Sequence, residues 1–292
     1  MRPCNGLLGA ILESVLIQSD SGDSFMSVQA TSLMTAPVLE VFSSFQGEGL
    51  YAGSPQVFFR LAGCPLRCAW CDTPGSWELT EGATAKLRTA SGLRQEQAQV
   101  SPAQAVEWIQ EVDPSGRQTV SVTGGEPLMW TDFLLKLRPL LGRRRVHLET
   151  AGAHPESLLR VLDAFDHVSA DLKLPEDMGA PSAVGFTEPE ASPRTPDEWR
   201  AVRRAVLKSL SGRDACSKLV VAGGRDVSAY EQIFDDQQGC APDLALFLQP
   251  ATPIAGVSAP TLATMETLRA SAESRGLRTS VLGQLHRAWK LP

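Results

Sequence analysis

The chain has 292 residues, 43% of them hydrophobic and 21% charged, which is enough for a substantial core in one large domain or two small ones. A formal net charge of −6 argues against a general nucleic-acid binder, and no apolar run approaches the ~20 residues that span a membrane. Six cysteines, three of them crowded between Cys64 and Cys71, fit a reducing, cytoplasmic setting and not a disulfide framework.

Residues 1–36 are unlike the rest. The first seventeen are loosely apolar but interrupted by Asn5 and Glu13, a poor signal peptide, and 17–35 are rich in Ser and small polar residues without periodicity. We read 1–36 as an extension outside the folded domain, flexible in part, with Met26 and Met34 as alternative starts. From Pro37 the texture changes. Val38–Phe42 is a short strand candidate leading into Ser43-Ser-Phe-Gln-Gly-Glu-Gly49, where two glycines flank a carboxylate as if backbone must turn tightly or approach a ligand. Gln56–Ala62 reads as a buried strand, inside which Arg60 is costly unless paired.

Beyond the cysteines, strands and helices alternate. Apolar runs predict strands at Thr119–Thr123, Arg145–Thr150, His167–Lys173, Ser217–Ala222, Ala245–Gln249 and Arg278–Leu282. Helices are expected after Ser101-Pro102, an N-cap followed by Pro at the first helical position, and over Asp132–Leu141, Pro155–Phe165, Pro196–Leu210, Val227–Asp236 and Pro260–Arg275. Repeated β-α units imply an α/β fold with a parallel sheet, open or closed into a barrel, and an active site at the carboxyl ends of its strands. The segments 83–99 and 176–196 break this rhythm and read as surface insertions of unknown role. His147, His154 and His167 fit no motif and read as structural.

Cys64-Pro-Leu-Arg-Cys68-Ala-Trp-Cys71 places three thiols within eight residues, spaced C-x3-C-x2-C. Clusters held by protein alone usually take four cysteines, so three would leave one iron of a cubane open to a reactant. A zinc knuckle is the alternative, but no fourth Cys or His lies near to close it. The spacing is similar to the cluster loop of the radical S-adenosylmethionine (SAM) enzymes, which use the open iron to bind SAM and split it to a 5′-deoxyadenosyl radical. Gly124-Gly125-Glu126-Pro127, just past a strand, resembles their GGE motif, which binds the amino group of SAM.

Within that superfamily, several segments resemble the 7-carboxy-7-deazaguanine synthases. They are Glu40–Gly49 (EVFSSFQGEG), Phe59–Cys64, Cys71-Asp72-Thr73, the GGEP turn, Leu148–Thr150, Asp171–Lys173, Leu248–Pro250 and Gln284–His286, and the resemblance spans roughly 37–292 apart from the two insertions. It implies a radical SAM partial parallel (β/α) barrel in a single catalytic domain over 37–292. The implied reaction is the ring contraction of 6-carboxy-5,6,7,8-tetrahydropterin to 7-carboxy-7-deazaguanine with loss of ammonia, a carbon–nitrogen lyase on the route to 7-deazapurines such as queuosine. A [4Fe–4S] cluster on Cys64, Cys68 and Cys71, SAM and a magnesium ion on Thr73 would be the cofactors. Substrate would be held by Phe45, Gln46, Gly47, Arg60, Thr123, His286 and the terminal carboxylate of Pro292. SAM would be held by Trp70, Cys71, Asp72, Gly125, Glu126, Ser169, Asp171, Lys173 and Gln249. An electron donor such as flavodoxin or ferredoxin, and a homodimer, are implied as partners. Plainer roles stand beside these: Arg60 paired with an acid such as Glu48, Thr73 as a turn cap, Asp171 and Lys173 as an ion pair, and Trp70 packing over the loop. A radical SAM activase is the closest rival, but it would not carry FQGEG or the final Gln-x-His.

Overall fold

The computed structural model describes residues 34–254 and 256–291. The extension expected over 1–36 lies outside them up to residue 33, whereas Ala36 already belongs to the first strand and is fully buried. That strand, β1 (Ala36–Phe45), is followed by β2 (Pro55–Leu61) and the two-residue β3 (Arg67–Cys68). Next come β4 (Thr84–Thr89), β5 (Gly92–Gln97), β6 (Gln99–Val100) and helix α1 (Pro102–Val112), whose N-cap Ser101 accepts from the Gln104 amide. The regular alternation is then β7 (Thr119–Gly124), α2 (Thr131–Leu140), β8 (Val146–Thr150), α3 (Pro155–Val161) and β9 (His167–Asp171). After the short β10 (Met178–Gly179) it resumes with α4 (Pro196–Leu210), β11 (Ala215–Val221), α5 (Glu231–Cys240) and β12 (Ala245–Pro250). It ends with α6 (Leu262–Ser274), β13 (Thr279–Val281) and α7 (Leu285–Trp289).

The sheet runs β13-β12-β11-β9-β8-β7-β2-β1-β4-β5, and every pairing from β13 to β2 is parallel. Helices pack their apolar faces on one side of it, and strands such as β11, buried at every residue, read as near-continuous apolar runs. This is the mostly parallel sheet of a partial barrel. Among the described residues no helix is long and apolar enough to cross a membrane.

Both segments that broke the rhythm have structure. Residues 83–99 hold the β4–β5 hairpin and the first residue of β6; β4 runs parallel to β1 and extends the sheet, burying Ala85 and Leu87. Only those two side chains face inward, with Thr84, Lys86 and Arg88 exposed between them, so the alternation is too short to register as a strand. The start of the second segment, 176–186, lies against the cysteine loop, where β10 pairs with β3.

Because β1 is antiparallel to β2, Phe45 pairs with Pro55 at the amino rim of the parallel strands. The loop 46–54 closes that rim. Tyr51 donates to Asp214 and packs edge-on against His167, while Gln46 reaches inward to Gln56 and Glu149.

Candidate active site

The cysteine loop leaves the carboxyl end of β2, held open by backbone bonds from Gly63 to Ser76 and from Cys64 to Trp77. Cys64 is buried, Cys68 and Cys71 half-buried, and all three thiols line one cavity of about 330 Å³. Burial pushes the Cys64 thiol up to about 12 and also raises Cys68. Metal binding would therefore release protons from this loop. An all-sulfur set of three, with a cavity in front of it, fits a cubane cluster whose fourth iron faces a ligand. Among the described residues no group of three or more His, Cys, Asp or Glu is arranged to hold a lone metal ion.

The GGE turn follows β7 directly. A Cβ on Gly125 would lie 2.5 Å from the Gly63 carbonyl and 2.8 Å from Cys64 Cβ, so only glycine lets this turn pack against the cysteine loop. Gly124 and Gly125 line the cavity, but Glu126 does not. Its carboxylate is fully buried and accepts from the Leu128 and Ala151 amides at 3.0 and 2.8 Å and from the Thr150 hydroxyl. With its oxygens engaged by an N-cap and a neighbouring strand end, Glu126 shapes the turn and does not line the cavity.

Ser169 likewise does not line the cavity. It is buried beneath the cavity, where its hydroxyl meets His147 Nε2 at 2.9 Å, His167 Nε2 at 3.3 Å and Cys216 Sγ at 3.3 Å. Gly49 packs over it, separating it from the cavity wall. His147 and His167 are structural in this sense: burial is the main cause that lowers the pKa of each.

The cavity floor is a buried charge cluster. Lys218 Nζ lies 2.6 Å from Glu48, 3.3 Å from Asp171 and 3.7 Å from Glu149, and Asp171 also pairs with Lys173 at 2.6 Å. Burial alone would depress Lys218, but the three carboxylates together raise it well above the usual lysine range. Asp171 is lowered despite burial by Lys173 and Lys218. Lys173 also lies over the Trp70 ring, 4.2 Å from its centroid. Gln249 and Gln284 donate to the other oxygen of Glu48 at 3.1 and 2.8 Å.

On the opposite wall Arg60 donates through Nε to Glu40, its cross-strand neighbour, at 2.8 Å. Glu40, not Glu48, is the acid beside it, and the two terminal guanidinium nitrogens bond no described side chain. Asp72 lies near His286 Nε2 at 3.4 Å and Arg287 at 3.6 Å and accepts from Thr73 at 3.1 Å. Burial opposes ionisation there, but these partners hold the Asp72 carboxyl far below the usual carboxylate range. At the mouth, Phe45 and Trp289 meet edge-on, ring centroids 6.4 Å apart. A Cβ on Gly47 would overlap the His286 ring, so glycine is what lets α7 dock on this loop, where the Leu285 amide donates to the Gly47 carbonyl.

Phe45, Gln46, Gly47, Arg60, Thr123 and His286 thus all line the cavity, as do Trp70, Asp72, Thr73, Lys173 and Gln249. Pro292 lies outside the described residues, although Leu291 reaches the wall. Sequence reading missed Lys218, treated Glu149 and Gln284 only as parts of motifs, and offered Glu48, beyond its motif, only as a partner for Arg60. A signal for Lys218 was there: a single cation within Ala215–Val221, an otherwise uncharged strand, asks for buried partners in the way Arg60 does.

The model of the radical SAM superfamily matches residues 60–235. Relatives named 7-carboxy-7-deazaguanine synthase include one from Methanothermobacter thermautotrophicus, 39% identical over 55% of this chain and 58% of that protein. Another, from Geobacter sulfurreducens, is 32% identical over 73% of this chain and 89% of that protein. The chain therefore matches little more than half the length of the first relative and nearly all of the second. Among solved structures, QueE from Escherichia coli superposes with a TM-score of 0.51 at 24% identity, covering 85% of this chain and 94% of that one, a likeness of fold. The chain belongs to the radical SAM superfamily and, within it, to the family of the 7-carboxy-7-deazaguanine synthases.

Proposed function

We propose that the chain is a 7-carboxy-7-deazaguanine synthase, a carbon–nitrogen lyase that contracts 6-carboxy-5,6,7,8-tetrahydropterin to 7-carboxy-7-deazaguanine and releases ammonia. The observation that carries this reading is that the FQGEG loop, Arg60, α7 and the three cysteines all line one cavity. A cluster held by Cys64, Cys68 and Cys71, with SAM beside it, would supply the radical chemistry. The protein's own work is positioning. Arg60, anchored by Glu40 through Nε, has its terminal nitrogens available for the substrate carboxylate, the planar fork that guanidinium matches best. Gln46, Gly47, Thr123 and His286 would frame the pterin, with Phe45 and Trp289 shielding the mouth from water.

Trp70, Cys71, Asp72, Gly125, Asp171, Lys173 and Gln249 would line SAM, with Glu126 and Ser169 acting from behind the wall. Thr73 would hold magnesium, a hard cation that takes oxygen ligands; its hydroxyl is within 3.1 Å of the Asp72 carboxylate. The same reading carries a flavodoxin or ferredoxin as electron donor, a cytoplasmic setting, a homodimer and a substrate contact from the Pro292 carboxylate. The test is anaerobic turnover with SAM, dithionite and the carboxy-tetrahydropterin. An ultraviolet-absorbing deazapurine and one ammonia per product are expected, and a Cys68→Ala protein should neither cleave SAM nor form product. A cluster-loaded protein that cleaves SAM yet leaves the pterin unchanged would overturn the assignment.

A further inference from the structure

Residues 175–186, at the start of the segment that interrupts the β-α rhythm, are fastened to the cysteine loop along its length. Met178 pairs with Cys68 and Gly179 with Arg67. The Ala69 amide donates to the Asp177 carbonyl and the Ser182 amide to the Pro65 carbonyl, both at 2.9 Å. Trp70, between the second and third cysteines, points its indole N–H at Asp177 Oδ2, 3.4 Å away. At the far end Phe186 packs edge-on against Trp130, which donates to the Ala62 carbonyl just before Cys64.

One charged pair holds this segment to the barrel. The Asp177 side chain is 1% exposed, and its Oδ1 accepts from Arg225 Nε at 2.7 Å. Arg225 also donates to the Glu176 carbonyl at 2.8 Å. Arg225 follows β11, the strand that carries Lys218, so the pair links the sheet to the cysteine loop. A carboxylate buried that deeply is tolerable only with its cation and its remaining acceptor site used, and here the second donor is Trp70 itself. Over the face of the same ring lies the Lys173 ammonium, 4.2 Å from its centroid. The indole is thus held between an acid and a base that are both anchored outside the loop.

We propose that residues 175–186 are a strap that presets the cysteine loop for its cluster, with Asp177 and Arg225 as its positioning residues. The inference stands on the cluster loop and is independent of which substrate the cavity takes. Three thiols that must gather round one cluster bind it more firmly when their loop is already ordered, and outer partners of ligating loops are commonly worth 10–100-fold.

The test uses the full chain reconstituted anaerobically, without substrate. Arg225→Gln and Asp177→Ala should lose the cluster's visible absorbance in air about 10-fold faster than the native protein. They should also shift the midpoint potential and the electron paramagnetic resonance signal of the reduced cluster. In the apoproteins, amide exchange over 64–73 should speed up while exchange in the central strands β7 to β9 stays close to native. Arg225→Lys should recover much of the native behaviour, since it restores the cation. Native air lability and potential in Arg225→Gln would overturn the proposal, as would an Arg225→Lys protein as labile as Arg225→Gln. Should Asp177→Ala fail to fold, Arg225→Gln decides, because that half-exposed side chain bonds only the strap among the described residues.

Discussion

At the scale of single residues, the site depends on charges buried against one another. Lys218 is 5% exposed and faces Glu48, Glu149 and Asp171, so removing it leaves Asp171 with Lys173 alone and takes the cation from Glu48 and Glu149. Breaking a buried pair from one side typically costs about 3–5 kcal/mol. Lys218→Met should therefore lower the unfolding free energy by that order in a denaturant titration and abolish turnover. A Lys218→Met protein as stable as the native one would show that water already screens the cluster. His147 and His167 beneath it, and His154 at the start of α3, are buried, and each has a pKa depressed chiefly by burial. An unfolded histidine titrates near 6.5, so on acidification the unfolded chain takes up protons before the folded one does. Their contribution is fully present above about pH 6.5 and is lost as pH falls below it. The charges facing His147 and His167 are Asp214, Arg145 and Lys218, and those facing His154 are Glu126 and Glu188. Asp214 opposes the depression of both His147 and His167, so His147, farther from it, should dominate the slope. Melting temperature is expected to drop between pH 7 and 5, and His147→Gln should flatten that drop. An unchanged slope would mean that the imidazoles titrate alike in both states.

At the scale of elements, the approach of α7 to the FQGEG loop assembles the mouth of the cavity. The helix is short and its side chains are largely exposed, so it holds by a few contacts: the Leu285 amide on Gly47, Gln284 on Glu48 and Thr252, and Arg287 on the Asp72 carbonyl. Gly47→Ala should push His286 outward, raise KM for the pterin and leave cluster content unchanged. Equal KM for the two proteins would show that α7 is only a surface turn. The hairpin β4–β5 is the opposite case, an element with real structure but a faint sequence signal. Two buried residues, Ala85 and Leu87, decide which way β4 faces, and what fixes them is the exposed edge of β1, which lies more than forty residues earlier in the chain.

At the scale of the whole molecule, the unit from Met34 to Pro292 is compact on its own, and its first strand begins at Ala36. A chain begun at Met34 is expected to melt at the native temperature, load the same amount of cluster and turn over normally. A fall in melting temperature of several degrees, which for a domain of this size corresponds to about 1–2 kcal/mol, would assign residues 1–33 a place in the fold. The sequence by itself determined the parallel α/β architecture, because strands buried on both faces must be apolar throughout and capped helices must separate them. It also determined the cluster loop, because ligand chemistry demands three thiols at close spacing wherever the chain then goes. What only tertiary structure decided were contacts between residues far apart in the chain. Glu126 is held away from the cavity because the strand end at Thr150 and Ala151 supplies it with donors, and Ser169 lies below the cavity because Gly49 packs against it from the opposite rim. Lys218 met Asp171 when β11 folded against β9, Glu149 through β8 and Glu48 through the 46–54 loop, Asp177 met its arginine past the end of β11, and no local pattern encodes partners that distant.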